Sequence, residues 1–172
     1  MKILFLDIDG VLNSVEYAVG ANTINRSVRL DDADPVKVGL LRFICDQTDA
    51  RIVISSTWRI GRDPAWFDGF FSSFGWFQPP IEGVTPRSAR IGSIGRGDEI
   101  NEWLETRQVD RYVIVDDDSD FYGDQPLVQT NGVYGLTLKE TIEMIDILGL
   151  GGKGDLARVE SLRRHVDFKP KN

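Results

Sequence analysis

Three short apolar runs constrain this 172-residue chain more than any other feature. Ile3-Leu4-Phe5-Leu6 ends in Asp7, Ile52-Val53-Ile54 ends in Ser55, and Tyr112-Val113-Ile114-Val115 ends in Asp116. None alternates with polar residues, so each predicts a strand buried on both faces, as in a parallel sheet. Leu127-Val128-Gln129 is a weaker fourth candidate. Helical spacing fills the intervals: Val38, Leu41, Ile44 and Cys45 between Pro35 and Thr48, Ile100, Trp103 and Leu104 between Asp98 and Thr106, and Leu138, Ile142, Ile145 and Leu148 between Thr137 and Leu148. Pro64 opens a further helix reaching about Phe74. Residues 13–32 read as a loop or flap, and 78–97, with three Pro, four Gly and three Arg, mostly as loop. Strands alternating with helices predict an α/β, Rossmann-like three-layer sandwich around a central parallel sheet.

In such folds ligands bind beyond the carboxyl ends of the strands. Asp7, Ser55 and Asp116 each follow a strand directly, so they converge on one sheet edge. Asp9 lies two residues beyond Asp7 and points the same way if the strand continues, and Gly10 permits a sharp turn. Close carboxylates repel and need a cation, a proton or hydrogen-bond donors. Asp116-Asp117-Asp118-Ser119-Asp120 adds charge at the second strand end. The chain holds 19 Asp against 8 Glu, a bias toward caps, turns and metal sites rather than helix interiors. Hard oxygen ligands in a site open to phosphate favour magnesium.

Composition sets the remaining bounds. The length suits one domain, and 41% hydrophobic residues suffice for a core. The expected organisation is one domain over residues 1–150. An extension over 151–172 follows, with a polar helix from Asp155 to about Val166 after a flexible joint at Gly149 to Gly154. The single cysteine, Cys45, forms no internal disulfide. Asp7 interrupts the first apolar run too early for a signal peptide, and no stretch approaches the ~18 apolar residues of a membrane helix. A cytoplasmic address and no membrane partner are expected. A net charge of −7 argues against non-specific attraction to nucleic acid or anionic membranes.

The ordered motifs resemble those of the haloacid dehalogenase (HAD) superfamily of phosphohydrolases. Phe5-Leu6-Asp7-Ile8-Asp9-Gly10-Val11-Leu12 resembles its first motif and Ile52-Val53-Ile54-Ser55 its second. Arg96 before Gly97-Asp98-Glu99-Ile100 resembles the third, where lysine is usual, and Val113-Ile114-Val115-Asp116-Asp117 the fourth. Ser55-Ser56-Thr57-Trp58-Arg59, residues 96–100 and Asp116 to Phe121 resemble compact domains likened to the phosphatase parts of nucleic-acid repair proteins. The stretches between the motifs leave room for only a minimal cap. The resemblance implies a phosphatase forming an aspartyl-phosphate, with Asp7 as nucleophile and Asp9 as acid and base. Ser55, Ser56 and Arg96 would hold phosphate. Asp7, the Asp9 backbone carbonyl, and Asp116 or Asp117 would hold Mg2+, with Asp120 a further acidic candidate. The substrate would be a phosphorylated small molecule, a nucleotide or a nucleic-acid end. A non-catalytic phosphate- or partner-binding module is the alternative, and the oligomeric state is left open.

Seven aromatics between Trp66 and Phe77 offer either a stacking wall or a packed corner. The spacing of 66, 70 and 74 predicts a buried face, leaving Phe67 and Phe71 off that face to meet a partner. Arg87, Arg90 and Arg96 form a local basic stretch that either meets further phosphates or is solvated. His165 is expected at the surface.

Overall fold

In a computed structural model the described residues are 1–23, 32–87 and 95–166. Five parallel strands form one sheet in the order β3-β2-β1-β4-β5. They are β1 (Lys2–Leu6), β2 (Arg51–Ile54), β3 (Ile81–Val84), β4 (Arg111–Asp116) and β5 (Leu127–Gln129). The helices are α1 (Val15–Thr23), α2 (Pro35–Thr48), α3 (Pro64–Ser72), α4 (Arg96–Leu104), α5 (Leu138–Leu148) and α6 (Leu156–Val166).

Alternation along the strands makes two cores. Leu4, Leu6, Ile52, Ile54, Val113 and Val115 pack with Leu41 and Ile44 of α2 and Met144 and Ile145 of α5. Ile3, Phe5, Val53 and Ile114 face the other way, onto Ile100 and Trp103 of α4. The sheet is thus the middle of three layers, and the unbroken apolar runs are what a strand covered on both sides requires. Helix starts follow local chemistry. Asp34 accepts from the Val36 N–H at 2.8 Å ahead of Pro35, and Asp63 accepts from the Trp66 N–H at 2.9 Å ahead of Pro64. Thr137 and Glu140 form a reciprocal capping box at α5.

Three expectations change. Residues 81–84, read as loop, form β3: it is an edge strand with Gly83 inside and Pro79-Pro80 before it, so it carries no apolar run to see. Residues 15–23, read as flap, form α1, whose Val15 and Val19 stay exposed. A helix that buries so little shows no amphipathic period; the Val15 and Glu16 N–H groups are met instead by the Gly132 and Val133 carbonyls at 3.2 and 3.0 Å. The glycine segment 149–154 is a bonded strap. Gly151 N–H donates to Gln47 O at 2.8 Å and Gly152 N–H to Asp49 at 2.7 Å. Lys2 Nζ donates to the Gly149 and Leu150 carbonyls.

The aromatic segment packs differently from its spacing. Phe67 and Phe71 are fully buried, whereas Trp66 and Phe74 are only partly so. Helix α3 ends at Ser72, so Phe74 lies beyond it and the expected face never forms. Trp66 and Phe70 stack at 5.6 Å, and both meet Trp58 edge-on. Phe77 is 74% exposed. Phe71→Ala should therefore cost about 3–5 kcal/mol. Phe77→Ala should stay within about 0.5 kcal/mol, both read from urea unfolding midpoints.

Candidate functional site

Strand pairing continues one residue past each strand and brings the polar ends together. Asp7 N–H donates to Val115 O at 3.0 Å, Ser55 N–H to Leu6 O at 2.9 Å, and Thr130 N–H to Asp116 O at 2.9 Å. Asp7, Ser55 and Asp116 are all buried. Asp117, at the next position, completes a cluster: one carboxylate oxygen from each of Asp7, Asp116 and Asp117 lies within 4.8 Å of the others. Gly10 makes room for it. Its φ is +69°, and a Cβ there would fall 2.3 Å from the Asp117 carboxyl.

Arg96 reaches this cluster from the first turn of α4. Its Nη1 lies 3.0 Å from Asp7 Oδ1 and is hydrogen-bonded to Asp116 Oδ2. Asp120 explains how: its carboxylate accepts from the Arg96 N–H at 3.1 Å and its carbonyl from the Gly97 N–H at 3.2 Å. The loop after β4 thereby caps α4, and a Cβ on Gly95 would strike the same Asp120 oxygen at 2.3 Å. Asp118 N–H donates to Asp116 Oδ1 at 2.9 Å. Arg87 is exposed, and Arg90 lies outside the described residues.

Charge is expensive here. Burial pushes the Asp7 carboxyl above its ordinary range, and Arg96 and the Ser56 hydroxyl pull it back only in part. Burial first, and then Asp7, push Asp116 up to about 7. Burial and the neighbouring Asp118 raise Asp117. Burial would lower Arg96, but Asp7 and Asp116 overrule it and hold the guanidinium above its usual range. One cation does not balance three carboxylates. Among the described residues, Asp7 Oδ1 is in ion-pair range of Arg96 yet has no hydrogen-bond donor aligned with it, and Ser55 Oγ is buried without a partner. Buried polar atoms are rarely left so, and these two sit where a cation and a phosphoryl oxygen would satisfy them. An all-oxygen, carboxylate-rich donor set of this kind fits a hard divalent cation.

Asp9 stands apart. Its side chain is exposed and held by two donors, Asn13 Nδ2 to Oδ1 at 2.8 Å and Trp58 Nε1 to Oδ2 at 2.9 Å. Asn13 in turn accepts from the Gly10 N–H at 3.0 Å. The two serines divide the labour: Ser56 Oγ accepts from the Trp58 N–H at 3.3 Å and caps the 3-10 turn Thr57–Arg59, while Ser55 Oγ stays unengaged.

Sequence reasoning missed Trp58, Asn13 and above all Arg59. The Arg59 guanidinium is buried and donates to the Ser55, Ser56, Thr85 and Pro86 carbonyls at 2.8–3.3 Å. It also pairs with Glu99 at 2.5 Å. It ties the ends of β2 and β3 to α4, three residues past Arg96. Burial lowers Arg59 from its ordinary range, and Glu99 opposes that. The signal available was the run Ser55-Ser56-Thr57-Trp58-Arg59 itself, which puts an arginine three residues past the strand-end serines.

Residues 3–141 match the family model described as the HAD domain in Swiss Army Knife RNA repair proteins. The chain belongs to this family. Neither the curated proteins nor the solved structures gave a match. Membership supports a HAD-type phosphohydrolase of the nucleic-acid repair kind. Among the described residues of this HAD domain, no helix is long and apolar enough to cross a membrane.

The raised carboxyls of the HAD domain give a pH signature. A folded Asp116 with its pKa near 7 keeps a proton that the unfolded chain has released above about 4. The folded state then binds more protons than the unfolded one, so stability falls as pH rises through this window. Without divalent cations, thermal melts should show wild type losing stability relative to Asp116→Asn between about pH 4 and 7. Magnesium should raise the wild-type melting temperature more at pH 8 than at pH 5, because it competes with those protons.

Proposed function

We propose that the chain is a magnesium-dependent phosphomonoesterase that works through an aspartyl-phosphate on Asp7. The observation that carries this reading is the pair of unsatisfied buried oxygens, Asp7 Oδ1 and Ser55 Oγ, on adjacent strand ends beside Arg96. The Asp7 carboxylate attacks phosphorus in line with the ester oxygen. The P–O ester bond breaks, and the leaving oxygen takes its proton from Asp9. Water then attacks the same phosphorus and gives a proton to Asp9, and the phosphate leaves with the Asp7 carboxylate restored. Ser55 Oγ, the Ser56 backbone N–H and the Arg96 guanidinium hold the phosphoryl oxygens. Asp7 with Asp116 and Asp117 would hold magnesium, the Asp9 carbonyl being the further ligand the family resemblance implies, and the bound ion would supply charge neutralisation at the phosphoryl group.

Trp58 and Asn13 keep Asp9 at the lip of the site, where a proton carrier must stand. The family description supports a phosphorylated nucleic-acid end as substrate, with a nucleotide the smaller version of the same chemistry. Arg62, stacked 4.0 Å over the Trp66 ring beside Trp58, places a cation and an aromatic edge near that lip.

The test is phosphate release with magnesium from an aryl phosphate, then from nucleotides and 3′- or 5′-phosphorylated oligonucleotides. Asp7→Asn should lower kcat by at least about 10³-fold, as loss of a nucleophile does. Asp9→Asn should lower it by about 10²–10⁴-fold. Trp58→Phe, which removes the donor to Asp9 together with part of the packed indole, should cost about tenfold in kcat. Phosphate binding without turnover in wild type would replace the enzyme by a binding module.

A further inference from the structure

Among the described residues, the Arg62 guanidinium has neither an ion pair nor a hydrogen bond; its contacts are the Trp66 ring at 4.0 Å and the Trp58 ring at 5.3 Å. The backbone holds it there. The buried Arg59 closes a turn by accepting the Arg62 N–H on its carbonyl at 3.2 Å, and Gly61 inside that turn takes a φ of +76°. Asp63 follows, but its carboxylate caps α3 through the Trp66 N–H at 2.9 Å and so serves the positive end of that helix. A hollow of about 380 Å³, lined by Gly61, Arg62, Asp63 and Trp66, leaves the guanidinium open to a ligand. One side chain links this hollow to the site. Trp58 donates from Nε1 to Asp9 at 2.9 Å and carries Arg62 on its ring. In the reading above Asp9 hands a proton to the leaving oxygen, so whatever the substrate carries beyond that oxygen starts at Asp9. One indole further on stands Arg62.

We propose that Arg62, on its platform of Trp58 and Trp66, is the subsite for the first internucleotide phosphate of a single-stranded nucleic-acid end. The inference rests on the phosphatase reading above and narrows its substrate from a phosphate ester to a polymer end. The chemistry matches on two counts. A guanidinium is a planar, permanently charged donor that suits a phosphodiester. It is also a stacking surface: Arg62 lies on Trp66, Trp66 is stacked on Phe70, and unpaired bases stack on arginine planes and aromatic rings alike. A mononucleotide has no second phosphate to place here. The chain as a whole, at a net charge of −7, does not attract a polyanion, so preference for a polymer has to come from a local cation held beside the site.

The experiment measures kcat/KM with magnesium for a trinucleotide, phosphorylated at the 3′ or 5′ end that wild type prefers, and for the nucleoside monophosphate with the same terminal nucleoside. The ratio of the two is the readout, and any misfolded fraction leaves it unaffected because it lowers both activities equally. In wild type the trinucleotide should be favoured by at least about tenfold. Arg62→Gln should lower the ratio by at least about fivefold, mainly through KM. A trinucleotide whose first internucleotide linkage is an uncharged methylphosphonate should lose a similar factor with wild type, and on it Arg62→Gln should change kcat/KM by no more than about twofold. Arg158→Gln, which removes the cation lying over the Phe43 ring from α6, should leave the ratio within about twofold. Equal kcat/KM for trinucleotide and mononucleotide in wild type, or a fivefold Arg62→Gln loss that persists on the methylphosphonate, overturns the subsite and leaves the phosphatase reading standing. A wild type that releases phosphate from neither compound nor from an aryl phosphate overturns both.

Discussion

Two carboxylates, Asp7 and Asp116, are buried side by side at the sheet edge, and one guanidinium serves both. Everything around them answers that constraint. A buried ion costs several kcal/mol unless it is paired and hydrogen-bonded. With Asp117 joining the cluster, Arg96 alone leaves an excess of negative charge. The fold tolerates this because the strand backbones that place Asp7 and Asp116 are fixed by both cores, and neither side chain can retreat to water. A site built this way is unfinished electrostatically, and in the proposed reading a cation with a phosphoryl group would complete it.

The surroundings hold that arrangement in place. Asp120 lends its oxygens to the α4 N-terminus and so sets where Arg96 begins. Arg59 gathers carbonyls from β2 and β3 and pins Glu99 on the same helix. Gly10 yields the space Asp117 occupies, and Gly95 the space Asp120 occupies. Asp9 is kept outside the cluster by Trp58 and Asn13, as the proton-transfer role proposed for it requires. Pairs of carboxylates whose environments differ this sharply are how one site carries two roles.

Much of this was legible in the chain itself, for a physical reason. Strands covered on both faces need unbroken apolar runs, so β1, β2 and β4 announce themselves, and the residues after them had to be Asp7, Ser55 and Asp116. An edge strand with one covered side and an interior glycine, such as β3, leaves no such trace. Helix α1 buries too little to impose a period. Spacing misjudged Phe67 and Phe71, because α3 is only nine residues long and turns a different side to the core. The Arg59 network spans residues 55 to 99 through backbone carbonyls, which carry no residue code. Asp120 matched the family pattern as an acid, yet its use as a remote helix cap depends on where α4 lands.

The most direct measurement of the central claim is the mass of the protein after acid quench during turnover of a phosphomonoester with magnesium, followed by peptide mapping. The account predicts one added phosphoryl group on the peptide that contains Asp7, absent from Asp7→Asn. A phosphoryl group mapped to another residue, or turnover that survives Asp7→Asn, would contradict it.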